Sequence, residues 1–299
     1  MARAADAGVV GVVVCGTSSK DWKKVFQTLE KYPQIFPLIG IHPWFVPMIG
    51  PEAKRERPRR DDEVATDQGA AIHPWFVGCR AGAETPPESA ITDRGYNWKE
   101  SFHSTAGREA VAERRQRNEV EWQTLEKLLL ENPGAGIGET GLDFQECFTN
   151  RAEQEASFAA HLDLARELNR PVTVHCVKAW GRLIEVLREH PAPRVLLHAF
   201  GGAPELISEL IDLNCWFSFC GAVMNPQAKR VRASAVAVPA DRLLIETDSP
   251  DFSPAGCEPP NEPANLIYVA RAVAELRGVS VESLAELTFS NATEFFSTI

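Results

Sequence analysis

The sequence predicts an α/β fold, a TIM-like (β/α) barrel of parallel strands, on three observations. Short apolar runs alternate with helical stretches, the pattern of a parallel sheet covered on both faces. Four residues with metal-ligating side chains, Glu139, His175, His198 and Asp248, each close a different apolar run. Strand ends that point one way in a parallel barrel converge on one face. A Rossmann sheet would usually show a GxGxxG turn after its first strand, and Cys15-Gly16-Thr17-Ser18-Ser19 stands there instead.

The elements follow in order. GVVGVVVCG (8–16) reads as a buried strand, with helical sequence from about Lys20 to Tyr32 and a short strand from Ile35 to Ile41 that His42-Pro43 ends. Further strands are AGIGE (135–139), VTVH (172–175), VLLH (195–198), CWFSF (215–219) and LLIET (243–247). Helices are expected near 151–169, 178–190, 203–213 and 226–237, with two or three more from about Glu262. This makes seven strands, whereas a full barrel has eight. The opening MARAADAG reads as the tail of a helix with no strand before it, so the barrel is expected to lack its first strand.

The expected organisation is one barrel domain over 1–299, interrupted by a long irregular insertion at about 47–115. IHPWFV occurs at 41–46 and again at 72–77; two copies with unlike flanks make a local duplication, not a repeat architecture. Lys54, Arg55, Arg57, Arg59 and Arg60 form a basic cluster broken by Glu56 and followed by acids, the composition of a solvated loop.

Hydrophobic content of 44% and charged content of 24% suit a soluble globular chain. A formal net charge of −10 argues against a broad basic platform for polyanions but leaves a phosphate substrate open, because bound cations reverse the local field. The seven cysteines are odd in number and show no CxxC pair, which favours reduced thiols and a cytoplasmic or nuclear setting. No apolar run approaches the ~20 residues of a membrane span, and no secretory signal opens the sequence. Asn291-Ala292-Thr293 fits a glycosylation pattern but reads as ordinary helix.

Two carboxylates and two imidazoles meeting at one mouth make a site for divalent metal. Glu139 can bridge cations with its two oxygens, and neutral His175 and His198 suit zinc, manganese or related ions. Asp248 is assigned to metal binding or to activation of water. Alternation along LLIETD puts Glu246 on its face one layer deeper, either orienting a ligand or forming a salt bridge inside the barrel. Cys176 adjoins His175 but points to the opposite face of its strand, as a buried hydrophobe.

These residues as a set resemble the TatD family of metal-dependent deoxyribonucleases, over residues 1–46 and about 115–299. GIHPW (40–44) resembles the family's GIHPH, GETGLDF (138–144) its GEIGLD, and PVTVHC (171–176) its histidine-ended strand. LHAFGG (197–202) is similar to LHCFSG, IETDSPDF (245–252) to ETDAPYL, and NEPAN (261–265) matches the stretch near the last barrel loop. The resemblance implies a TIM-like metal-dependent hydrolase that cleaves DNA phosphodiester bonds, often as a 3′–5′ exonuclease. By resemblance Glu139 bridges two divalent ions (Mg, Mn or Zn), His175 and His198 bind one, and Asp248 binds the other. Glu139 and Asp248 are then the catalytic pair, and His42 lines the substrate pocket, with His73 of the second IHPWFV as its rival. Asp143 supports Glu139 or its loop. The implied partner is DNA, as ends or single strands, with neither a membrane nor a protein partner called for.

Three departures stand out. The His-x-His strand with which many members begin is absent before Gly8, Trp44 replaces the second histidine of GIHPH, and Val177 stands where a basic residue often follows the His-Cys pair. The first of these leaves as an alternative a truncated, catalytically weak or inactive isoform retaining a partial metal site; a separate alternative is an amidohydrolase-like enzyme acting on small amides or esters.

Overall fold

The protein is described by a computed structural model over residues 2–46, 119–145, 150–254 and 257–297. Seven strands form one curled parallel sheet in chain order. They are β1 (Val12–Gly16), β2 (Ile35–Ile39), β3 (Gly136–Asp143), β4 (Pro171–Val177), β5 (Arg194–Leu197), β6 (Cys215–Phe219) and β7 (Leu243–Ile245). The helices are α1 (Ala2–Asp6), α2 (Trp22–Lys31), α3 (helical over 119–131), α4 (Arg151–Leu168), α5 (Trp180–Glu189), α6 (Ile207–Asp212), α7 (Lys229–Ala237), α8 (Leu266–Arg277) and α9 (Val281–Phe296). Among the described residues no strand joins the outer edges of β1 and β7, so the barrel is open there. Residues 47–115, with His73, the second IHPWFV and the basic cluster, lie outside the described residues.

Because every strand is parallel to its sequence neighbours, all seven carboxyl ends lie on one face, and the residues that close the apolar runs meet there. The outward side chains Val172, Val174, Val195, Leu197 and Phe217 are buried against the helices, whose own apolar faces include Leu125 and Leu129 of α3, Phe158 and Leu162 of α4 and Leu183 of α5. Helix ends use local chemistry. Asn169 and Gly278 close α4 and α8 in the left-handed conformation, and the Ser280 hydroxyl accepts the Ser283 N–H to start α9.

β3 differs from its expected span. It runs on past Glu139 to Asp143, with a shift of register against β4 between Ile137 and Thr140. Glycine permits this. Gly141 has φ 131°, and a Cβ there would sit 2.1 Å from the His175 carbonyl oxygen, so only a bare backbone lets β3 and β4 approach. Low β propensity hid the extension, and the shift turns Glu139 into the barrel mouth.

The sequon asparagine Asn291 lies within α9, where its amide donates to the carbonyls of Ala240 and Leu243. The five described cysteines form no disulfide; Cys176 packs against the main core and burial pushes its thiol up. The opposite end of the barrel has its own apolar cluster. Leu196, Trp216 and Leu244 point inward and α9 lays Phe295 on them, while Phe296 stacks at 4.8 Å on Phe36 of β2. Arg194 of β5 donates to the Glu294 and Ser297 carbonyls and so caps the end of α9.

Candidate metal centre

Glu139 is the hub of the barrel mouth. Its Oε1 lies 2.5 Å from His198 Nε2, 3.3 Å from His175 Nδ1 and 3.6 Å from His42 Nε2. The oxygen is buried, yet no hydrogen bond of good geometry reaches it. A buried carboxylate oxygen crowded by ring nitrogens without an aligned N–H is the donor arrangement of a cation site. Two sets of groups lie close enough to hold an ion, each with ligand atoms within 4.8 Å of one another: His42 with Glu139 and His175, and His198 with Glu246 and Asp248. The chemistry of both sets, imidazole plus carboxylate, fits a divalent metal.

All four residues singled out at strand ends are therefore brought to one place. His175 sits on β4, paired in register with Gly141. His198 follows β5 directly and donates its backbone N–H to the Val174 carbonyl, which holds it beside β4. Ala199, next to it, has φ 44°, and its N–H donates to Glu246 Oε1 at 2.7 Å. Glu246 also accepts the Ser218 hydroxyl at 2.6 Å, and its Oε1 is 3.5 Å from His198 Nδ1. Glu246 thus orients His198 while lying close enough to share an ion with it.

Asp248 reaches the mouth by a different route from simple alternation. β7 ends at Ile245, and Asp248 takes φ 56°, a left-handed conformation that costs about 1–3 kcal/mol and persists only where surroundings impose it. Asn261 imposes it. Its amide nitrogen donates to the carbonyls of Thr247, Asp251 and Phe252, and its oxygen accepts from the Glu262 N–H and the Asn265 amide. One buried asparagine so ties down the loop that carries Asp248.

Asp143 was expected to support Glu139 or its loop. Its carboxylate lies 3.3 Å from His175 Nε2, accepts the Trp44 indole N–H at 2.6 Å and accepts the Gln145 N–H. Its backbone is clamped by Gln154, which accepts the Asp143 N–H and donates to its carbonyl. His42, expected in the substrate pocket, is buried beside Glu139, and its Nδ1 accepts the Trp44 backbone N–H at 3.2 Å.

The local field is strongly coupled. Burial opposes charge on Glu139, but His198, His175 and His42 override it and hold the carboxylate well below its ordinary value. Burial likewise opposes charge on His198 and His175, and the facing carboxylates override it, raising both imidazoles. For His42 burial and the neighbouring His175 win, and the ring is held well below its ordinary value. Burial raises Asp248 to about 7; His198 opposes this, and the Glu246 and Glu139 carboxylates add to it.

A further histidine, which the sequence did not single out, positions the site from behind. His161 on α4 accepts the Ile41 N–H through Nε2 at 3.1 Å and faces the Ser157 carbonyl through Nδ1 at 2.7 Å. It therefore fixes the backbone immediately before His42. A histidine on a helix carries no sequence signal for this, because its partner is distant in the chain. Burial lowers its pKa to about 4. The unfolded chain takes up this proton near pH 6.5 and the folded one only near 4, so its contribution to stability is complete above about 6.5 and fades as pH falls toward 4. His161→Ala is expected to lower stability by about 2–4 kcal/mol at pH 7.5 and by clearly less near pH 4.5, read from thermal or urea melts. A pH-independent penalty contradicts the assignment.

The family model described as TatD related DNase matches residues 1–297. The chain belongs to the TatD-related DNase family. The metal-dependent hydrolase YcfH of Escherichia coli K12, itself uncharacterised, is 38% identical over 179 residues, which cover 58% of this chain and 67% of that protein. The 3′-5′ ssDNA/RNA exonuclease TatD of Klebsiella pneumoniae strain 342 is 32% identical over 253 residues, 79% of this chain and 91% of that one. Among solved structures, the TatD homologue YjjV from E. coli superposes with a TM-score of 0.71 at 21% identity, covering all of this chain and 90% of the other. That likeness establishes the fold. As a TatD protein the chain is a metal-dependent hydrolase with a TIM-type barrel. Among the described residues no helix is long and apolar enough to cross a membrane.

Proposed function

We propose that this TatD protein hydrolyses phosphodiester bonds at the ends of single-stranded DNA, as a 3′–5′ exonuclease dependent on divalent metal. The observation that carries the reading is the gathering of Glu139, His175, His198, Glu246 and Asp248 at a single barrel mouth. The Klebsiella relative named as a 3′-5′ exonuclease, aligned over most of both chains, supports the polarity and the substrate. A concave, acidic mouth suits a terminal nucleotide better than the flank of a long duplex.

In this reading Glu139, His175, His198 and Asp248 hold the metal, with Glu246 beside them. The divalent ions supply Lewis-acid polarisation of the phosphoryl oxygen and make a nearby water acidic near neutral pH. Asp248, at the rim, accepts the proton of the attacking water as general base. His42 lies at bonding distance of the same space and presents a ring N–H to a non-bridging phosphate oxygen. Glu246 and Asp143 keep His198 and His175 in their orientations.

The test is digestion of single-stranded oligonucleotides labelled at either end, beside a phosphodiester dye and simple amides, with magnesium, manganese or zinc. Stepwise shortening from the 3′ end, abolished by a chelator, is expected. Turnover of amides with DNA left intact would replace this reading with the amidohydrolase one. A 299-residue chain that retains a single ion and cleaves nothing would establish the inactive form.

A further inference from the structure

We propose that Trp44 is a positioning residue that gives two neighbouring imidazoles opposite character toward the space beside Glu139. The inference rests on the metal-dependent reading above and extends it to a residue to which that reading gives no part.

The first ring is His175. The Asp143 carboxylate accepts the Trp44 indole N–H, the Gln145 backbone N–H and the Gln145 side-chain amide, so the groups around it leave it the acceptor's part. An ionised carboxylate only accepts hydrogen bonds. The ring nitrogen facing it, Nε2 at 3.3 Å, therefore carries the proton. In the neutral ring, the form that can bind an ion, the lone pair of His175 is then on Nδ1, which lies 3.3 Å from both Glu139 Oε1 and His198 Nε2. Two electron pairs facing each other at that distance repel unless a cation sits between them. Trp44 enters through its indole N–H, whose 2.6 Å bond to Asp143 Oδ2 fixes the carboxylate in place.

The second ring is His42. The Trp44 backbone N–H donates to Nδ1 at 3.2 Å, so the neutral ring carries its proton on Nε2. That nitrogen is 3.6 Å from Glu139 Oε1. The ring is wedged edge-on between the Trp44 ring at 5.0 Å and the His175 ring at 4.5 Å. His42 thus turns an N–H toward the site, whereas His175 turns a lone pair. Although His42 lies near enough to join Glu139 and His175 around an ion, this tautomer makes it a donor to an anionic oxygen of the substrate and not a ligand.

The residue type matters. An indole nitrogen donates and never accepts, so Trp44 can present only one polarity to Asp143. A histidine at this place, as in the GIHPH pattern, has two tautomers and can present either. The tryptophan of GIHPW removes that freedom, and the tautomer of His175 follows.

Two measurements on the 299-residue chain test the inference. The first is calorimetric binding of zinc and manganese to the wild type and to Trp44→Phe, which keeps an aromatic ring and the backbone N–H but loses the indole donor. Binding about 10–100-fold weaker in the variant is expected, the usual effect of removing an outer partner of a ligating histidine. The second is nitrogen-15 NMR of labelled histidines in the zinc-loaded wild type. His175 is expected to coordinate through Nδ1 with Nε2–H retained, and His42 to carry its proton on Nε2 without coordinating. Unchanged affinity in Trp44→Phe, coordination of His175 through Nε2, or coordination by His42 would overturn the inference. If Trp44→Phe fails to fold, the wild-type spectrum decides alone. A wild type that binds neither ion refutes the metal-dependent reading itself, which separates the two failures.

Discussion

Glu139→Ala is expected to remove hydrolysis almost completely, by at least about 10³-fold, and to empty the centre of metal. The Oε1 of Glu139 faces His198, His175 and His42 together. The loss should be visible without any substrate. Elemental analysis of the purified variant is expected to find the protein largely metal-free, where the wild type carries ions. The imidazoles respond as well. Asp143 and Glu139 together raise His175, and Glu139 and Glu246 together raise His198, so both imidazoles should become easier to deprotonate in the variant. Metal content and hydrolysis that survive the substitution would show that Glu139 is not the hub of the centre.

Asp248→Asn should move activity and stability in opposite directions. Hydrolysis is expected to fall by about 10²–10⁴-fold, the range for loss of a general base. The metal-free protein should gain stability. Asp248 is held at about 7, above its ordinary carboxylate value, chiefly by burial. The folded protein keeps a proton there that the unfolded chain has already released, so stability declines as pH rises from about 4 to about 7 and the full penalty applies above that. The penalty is on the order of 3 kcal/mol, since a tenfold change in proton affinity corresponds to about 1.4 kcal/mol and the group is partly exposed. Melts of metal-free wild type and variant from pH 5 to 8 should diverge, the variant being the more stable at the alkaline end. A bound divalent ion should cancel the difference. A variant that is less stable than wild type at pH 8 without metal contradicts the assignment of an unfavourable buried charge.

The distance over which information acts explains what could be read from the sequence. The seven strands were legible because each is a short apolar run whose composition alone marks it, and β1, β4, β5 and β6 fall within a few residues of their expected bounds. The gathering of Glu139, His175, His198 and Asp248 followed from the parallel order, which places strand ends on one face. The extension of β3 was not legible, since Gly138 and Gly141 have little intrinsic preference for a strand and are there for close approach to β4. Nor was the left-handed turn at Asp248, which Asn261 enforces from beyond the following loop. Trp44 and His161 were hidden for the same reason. Their partners, Asp143 and Ile41, lie 99 and 120 residues away, beyond any local pattern. The substitution of tryptophan for histidine in GIHPW was visible as a departure, but its meaning required the carboxylate opposite it.

The aromatic floor of the barrel bears on how the chain is made. Phe36 emerges from the ribosome long before Phe296, the residue on which it stacks, and Trp216 likewise waits for Phe295. The catalytic end of the sheet can assemble from neighbouring strands as they appear, whereas its far end stays greasy and uncovered until α9 has been made. Until α9 is made the nascent protein therefore offers a ring of bare apolar side chains to chaperones, and a chain that stops before Phe295 should aggregate and not merely be shorter.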